Sequence, residues 1–305
     1  MPLARRALNV SFKLPHGNVI LDESLDLRVH ITKQALAVDA VASIEVFNLS
    51  QTLRESLLSQ FTMWNLRQVQ SGNVQNRLVP SGTADLGAFI DVTIQAGYED
   101  GSQNSTTTVF KGQVGAVTPI SDPPNIGVRI DCRSQLLART QFVTSPAPTQ
   151  TTFKNYVAWV AEQMGLPFDC ETSYDNQIIT NPSAQTMVVA ALLIDIQNQY
   201  RPNVAAFIDN NTLIVKDVNK IISTSNTVTV SEFIGTPMWS EWGIELSTLF
   251  DPRIRLAGAI IPNSTMNPGI GTHKNQRAYV ITQLDYDLCS RATPFYVKVN
   301  ASPSA

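Results

Sequence analysis

The sequence predicts an α+β fold made mainly of antiparallel β structure, on three observations. Apolar and polar residues alternate over most of residues 1–138 and again over 223–305, the period of half-buried strands. Between them lie two stretches with the longer period of amphipathic helices. Turn residues bound nearly every strand-like run. The expected organisation is a first β domain over 1–140, a small α+β domain over 141–222, and a second β domain over 223–305.

In chain order, residues 7–12 alternate, a turn follows at Pro15-His16-Gly17-Asn18, and Leu25, Leu27, Val29 and Ile31 share one face of the next strand. A strand over 43–49 hands over at Ser50 to a short amphipathic helix over 52–60. Thr52 and Glu55 are spaced as a capping box, and Leu53, Leu57 and Phe61 recur at four. Residues 62–88 carry only Arg67, Arg77 and Asp85 as charges and are broken by Gly72, Pro80, Gly82 and Gly87, which predicts a loop or extended arm. Strands return over 88–96, 107–118 and 126–132, the first two joined by a hairpin connection at 97–104.

After the punctuation at Thr144-Ser145-Pro146-Ala147-Pro148-Thr149, Phe153, Tyr156, Val157, Val160 and Met164 recur at three and four and stop at Gly165 and Pro167, which predicts a helix. A second helix is expected over 183–199 with Met187, Ala190, Ala191 and Ile194 on its apolar face. Asp209-Asn210-Asn211 between 205–208 and 212–216 reads as a tight hairpin turn, because Asp and Asn tolerate positive φ. Strand-like runs then cover 227–230, 243–250, 253–260, 277–286 and 295–299, with a loop at 262–276.

Composition narrows the functional classes. A chain of 305 residues with 43% hydrophobic residues has ample material for a core, and its 15% charged fraction is low against about 25% in typical domains. Such a surface suits packing against other proteins. A net charge of −3 without runs of one sign lacks the basic footprint of a nucleic-acid binder. Cys132, Cys170 and Cys289 are dispersed and unaccompanied by CxxC, which predicts reduced, buried thiols and assembly in a reducing compartment. Residues 1–8 have no apolar run of signal-peptide length and no stretch approaches ~20 apolar residues, so neither a signal peptide nor a membrane anchor is expected.

Catalytic, cofactor-binding and metal-binding residues are all expected to be absent. His16, His30 and His273 are isolated from one another. Gly269-Ile270-Gly271 lacks the third glycine of a dinucleotide fingerprint, and no GxSxG elbow occurs. Glu232, Glu241 and Glu245 lie near Trp239 and Trp242, a combination glycosidases use on sugars, which keeps a peptidoglycan hydrolase or a glycan- or receptor-binding module as alternatives. An alternating strand would instead put Trp242, Ile244 and Leu246 on one face with Glu245 pointing away, a half-buried strand.

Three junctions carry a resemblance. Phe47-Asn48-Leu49-Ser50 leads into a short helix, Ala96-Gly97-Tyr98 ends a strand, and Phe110-Lys111-Gly112 opens one, in that order. Further on come Gly235-Thr236-Pro237, then Leu249 to Gly258 with Pro252 inside it, then Tyr279 to Leu288. In this series the sequence resembles the baseplate hub proteins of contractile-tailed bacteriophages. It departs at Asp285-Tyr286, where that family often has a histidine, and in the length of the uncharged stretch 62–88. The resemblance implies two β domains of tail-tube type and a structural, non-enzymatic virion protein. Phe47, Asn48, Leu49, Gly97, Tyr98, Phe110, Gly112, Gly235, Pro237, Pro252 and Gly258 would be fold-forming positions. It also implies a homotrimeric, pseudo-sixfold ring, assembled in the host cytoplasm, that joins the hexameric tail tube to the trimeric central spike around a channel for DNA. Its partners would be the spike, the tube or tube-initiator protein, other baseplate proteins and the tape measure protein.

Overall fold

The computed structural model describes residues 5–35, 39–100, 103–122, 125–136, 138, 141–180, 188–217, 227–271 and 277–303. The alternating runs become strands and the fold is mainly antiparallel β with four α-helices among the described residues, as the sequence predicts. Two compact units result, each assembled from three stretches. The first comprises Met1–Ile31, Ala40–Gln141 and Asp287–Phe295, the second Thr32–Asp39, Phe142–Tyr286 and Tyr296–Ala305.

In the first unit β1 (Arg5–Leu14), β2 (Gly17–Leu21) and the start of β3 (Asp26–Gln34) are followed by β4 (Val41–Phe47), α1 (Gln51–Gln60), α2 (Met63–Gln70), a 3-10 turn (Val74–Asn76), β5 (Asp91–Asp100), β6 (Gln103–Asp122) and β7 (Asn125–Arg133). The strands lie in the order β4, β7, β6, β5, β1, β2, with every pair antiparallel. Period-two burial puts Leu8, Val10, Leu27, Ile44, Val46, Val92, Ile94, Val128 and Ile130 in the core.

Strand β6 is hydrogen-bonded on both sides and carries one extra residue against each neighbour. Its register shifts at Val109 opposite β5 and at Gly115 opposite β7. Bulges of this kind bend a strand and increase its twist. Between them sits Gly112, where a Cβ would come within 2.5 Å of the Arg133 carbonyl oxygen and 2.7 Å of Phe110 Cζ. The Phe110 ring, two residues back on the same face, lies over the glycine and is fully buried.

The stretch expected as a loop or arm at 62–88 contains α2 and the 3-10 turn. Two buried amides give it order. Asn65 Nδ2 donates to the carbonyls of Gln60 (2.6 Å) and Leu78 (2.9 Å), and Asn65 Oδ1 accepts from the Leu78 N–H at 2.8 Å. Gln60 Nε2 donates to the Ala84 carbonyl at 2.6 Å, and its Oε1 accepts from the Leu86 N–H at 2.8 Å. Each amide stands in for a strand neighbour and satisfies backbone groups that have no ladder of their own. The capping box expected at Thr52 and Glu55 does not form. Ser50 is the N-cap without a side-chain bond, and Glu55 accepts from Gln51 one turn earlier instead; Thr62 caps α2.

The second unit contains β8 (Gln150–Thr152), α3 (Phe153–Met164), β9 (Phe168–Glu171), β10 (Ile178–Thr180), α4 (Val189–Gln199), β11 (Val204–Asp209) and β12 (Thr212–Asp217). It continues with β13 (Thr227–Val230), β14 (Met238–Ser240), β15 (Gly243–Leu249), β16 (Ala259–Pro262), β17 (Tyr279–Cys289) and β18 (Phe295–Pro303), whose residues 287–289 and Phe295 belong to the first unit. Helix α3 starts at a Thr152 cap and stops at Gly165 in the left-handed region, as expected. With α4 and the small sheet β11-β12-β9 it encloses Phe153, Tyr156, Val160, Leu192, Ile196, Leu213 and Val215. The hairpin turn uses Asn210 and Asn211, both at positive φ. Strands β14, β15 and β18 are antiparallel neighbours, and β16 pairs with β13 and β17.

Three expectations in this unit are corrected. Residues 181–187, including Met187, lie outside the described residues, and the buried face of α4 is Val189, Leu192, Leu193, Ile196 and Gln197, leaving Ile194 exposed. The small sheet that α4 covers sets that face, packing Leu192, Leu193 and Ile196 against Ala206, Leu213 and Val215, and Gln197 donates to the Ala206 carbonyl. Residues 253–258 turn rather than extend. Asp251 accepts from the Arg253 N–H and guanidinium, and the Gly258 N–H donates to the Arg255 carbonyl with Ala257 at φ 56°. Trp242 is in the turn between β14 and β15, outside the Ile244 and Leu246 face, because Gly243 at φ 148° interrupts the alternation.

Asp175 closes the end of β9. Its Oδ1 accepts from the Thr172 N–H (2.9 Å), the Thr172 hydroxyl (2.7 Å) and the Cys170 thiol, with Lys154 Nζ 3.6 Å from the other oxygen. Burial acts to raise its pKa, but the hydrogen bonds from Thr172 and Cys170, with the Lys154 charge, together outweigh that and hold the carboxyl below its usual range.

Three outcomes follow from these contacts. Asn65→Ala strips partners from the Leu78 backbone and lowers unfolding free energy by about 1–3 kcal/mol in urea titration; a loss under ~0.5 kcal/mol would contradict the clasp. Gly112→Ala forces β7 or Phe110 to move and costs about 1–3 kcal/mol, with the urea midpoint as readout. A carboxyl with a depressed folded pKa adds stability above its unfolded value near ~4, lost as pH falls through the folded value. Asp175→Asn is therefore less stable than the wild type at neutral pH, and the gap narrows below about pH 4; a gap independent of pH would refute the assignment.

Candidate functional site

The motif positions of the first unit do three separate jobs. Phe47 ends β4 buried, with the Arg28 guanidinium 4.9 Å above its ring. Asn48 takes φ 60°, which Asn tolerates better than most residues, and its N–H bonds the Ile126 carbonyl; this turns the chain so that Leu49 is buried and α1 can begin. Gly97 and Tyr98 lie inside β5, which runs on to Asp100. Gly97 pairs with Ala7. The Tyr98 ring meets Phe295 edge-on at 5.5 Å, and Arg6 lies over the same Phe295 while donating to the Ala292 carbonyl at 2.7 Å. Phe110 and Gly112 form the close contact described above.

In the second unit Gly235 and Pro237 flank the approach to β14, Gly235 exposed and Pro237 buried with its carbonyl bonded by Asn267 Nδ2 at 3.1 Å. The Pro252 carbonyl accepts from Arg255 Nε, and Gly258 closes that turn, its carbonyl accepting from the Ile281 N–H. The positions of each unit therefore hold junctions of the fold and do not converge on one cleft.

Groups that could do chemistry are dispersed too. Glu245 bonds Lys298 Nζ at 2.8 Å across the β15–β18 ladder, whereas Glu241 is in the hairpin turn and Glu232 precedes β14. His16 is exposed in its turn, His30 Nδ1 lies 3.0 Å from an Asp287 carboxylate oxygen, and His273 lies outside the described residues. Among the described residues no group of three or more His, Cys, Asp or Glu is placed to hold a metal ion. Cys132, Cys170 and Cys289 are buried free thiols. Burial pushes all three pKa values up, that of Cys170 to about 12 with Asp175 adding to the effect, which makes them poor nucleophiles.

Two features escaped the sequence reading. Lys33 is buried and bonded to Asp209 and, at 3.0 Å, to Asn210 Oδ1. Its place on an alternating strand was the available signal, since Val29, Ile31 and Lys33 share one face. Exposed apolar residues also gather at two places: Met63, Trp64 and Leu78 on and beside α2, and Met238, Trp239 and Trp242 on the β14–β15 hairpin. The tryptophans in low-charge stretches were the signal there.

The described fold is similar to that of the 43 kDa tail protein of prophage MuSo2 from Shewanella oneidensis, with a TM-score of 0.60 at 10% identity over 97% of this chain and 98% of that one. A tail protein from Neisseria meningitidis MC58 is similar over 96% of both chains, with a TM-score of 0.53 and 10% identity. A chain of the Francisella PdpA–VgrG complex matches 99% of this chain with a TM-score of 0.51 and 10% identity, and this chain spans 59% of that one. No curated protein matches the sequence. The sequence model of the baseplate hub gp41 family matches residues 7–301, so the chain belongs to that family of structural proteins of bacteriophage tails.

Proposed function

We propose that this baseplate hub protein works as a homotrimer. In it, 1–140 and 223–305 act as two tube-like β domains and 141–222 as an insert, so that three chains present a pseudo-sixfold ring. The ring joins the hexameric tail tube to the trimeric central spike and leaves a channel for DNA. The tube or tube-initiator protein, the spike, other baseplate proteins and the tape measure protein are its partners, and assembly takes place in the host cytoplasm before incorporation into the virion.

The observation that carries this reading is the family match over 7–301, nearly the whole chain. A low charged fraction and exposed tryptophans and methionines support it, because such residues are enriched where proteins bury surface against each other. A net charge of −3 suits a channel that must not hold DNA. The Lys298 partner of Glu245 weighs against a paired-carboxylate hydrolase.

Sedimentation equilibrium of the full chain, alone and with its spike protein, tests the oligomer. The expected species has three times the chain mass alone, and that mass plus the spike trimer's when the spike is present. A monomer at tens of micromolar in both samples would sink the trimeric ring.

A further inference from the structure

Among the described residues, each unit exposes a cluster of large apolar side chains. On the first, Met63, Trp64 and Arg67 occupy adjacent positions on α2, spaced so that Arg67 lies one turn from the other two. Leu78 is bound beside them through Asn65, and Trp64 is 54% exposed. Over 62–88 Arg77 is paired with Asp85, which leaves Arg67 as the uncompensated charge.

On the second unit Met238 and Trp239 form β14, which pairs with β15 on one side only, and Trp242 stands at the hairpin tip, 78% exposed. Residues 231–247 hold three glutamates and no Lys or Arg. Lys298 takes up Glu245, and the exposed Arg277, hydrogen-bonded to the neutral Tyr279 phenol whose ring meets Trp239 edge-on, leaves one cation against Glu232 and Glu241. Glu232 and Glu241 have no ion-pair partner among the described residues.

We infer that these surfaces bind each other between two copies of this chain: the α2 face of one copy, with Arg67, docks on the β14–β15 hairpin of the next, with Glu241. This deepens the trimer proposed above and rests on it. Both surfaces carry the residue types that dominate binding energy, Trp, Met and Arg, and their uncompensated charges are opposite in sign. Like surfaces meeting in a two-fold dimer would instead oppose glutamate to glutamate or arginine to arginine, which costs affinity. Joining two different surfaces is heterologous, and repeated contacts of that kind make a ring where the rotation between copies closes, as the proposed trimer requires.

The test is sedimentation of the 305-residue chain and three variants. Arg67→Glu and Glu241→Arg should each weaken assembly by about tenfold or more, and the combined variant should recover most of it, because the charges again face their opposites. Both positions of change are at the surface, so unchanged melting temperatures separate lost assembly from lost folding. Trimers as stable in both single variants as in the wild type would overturn this interface and leave the trimer standing. Two single variants that dissociate with no recovery in the combined one would also overturn the pairing, since the charges would then face other groups. A wild-type monomer would remove the trimer, and the interface with it.

Discussion

The first unit depends on strand β6 being able to serve two neighbours at once while bending. A straight strand of its length would keep one register with β5 and β7; the extra residues at Val109 and Gly115 break both registers a few positions apart. Between the bulges the strand must still let β7 approach and must cover the Phe110 ring, and only a residue without Cβ leaves room for both. Helix α2 then comes to lie over the second bulge, where Leu66 Cδ1 is 3.7 Å from the position a Gly115 Cβ would take. The Phe-x-Gly sequence is thus the visible trace of a bend, and the stretch 62–88 is placed by the same bend.

Polar side chains do the second share of the work. Gln60, Asn65 and Gln197 are buried and spend their amide groups on backbone partners, so segments without a strand neighbour still have their N–H and C=O groups satisfied. Lys33 is a harder case. Burial pulls its pKa down and the Asp209 carboxylate pulls it up, with burial the larger. Its bonds to Asp209 and Asn210 fix the β11–β12 turn against β3 within the second unit, which explains why a cation is kept on an otherwise apolar strand face. With so few charges, the described fold relies on buried amides together with the Lys33–Asp209 pair.

What could be read from the sequence was what local physics decides. Period-two alternation gave the strands, the Thr152 cap and Gly165 gave α3, and the tolerance of Asn for positive φ gave the β11–β12 turn. The failures have a common cause. Helix α2 was hidden because its order comes from amides reaching to residues 78 and 84–86, a tertiary contact that periodicity does not register. The face of α4 was misjudged because the small sheet it covers decides which of several apolar residues go inside. The Asp251–Arg253 bonds turned an apparently alternating run into a turn, and Gly243 moved Trp242 off the strand face it seemed to share. For several motif positions the structure shows a local role, as in the positive φ of Asn48 and the close approach at Gly112, whereas Gly97 lies within β5.

That division separates two kinds of information in a structural protein. Residues such as Asn48, Gly112 and Pro237 are constrained from within, by left-handed backbone, close approach or burial, and they would be needed whatever the fold docks against. They identify the architecture and are silent about partners. Trp64, Trp239 and Trp242 are constrained by nothing that encloses them, although Trp239 rests its edge on Tyr279 at 6.2 Å. Leaving three indole rings largely in water has a cost in solubility that the fold itself does not offset. The proposed assembly would account for them, because the exposed aromatics, with Arg67 and Glu241 beside them, are the surfaces it would bury.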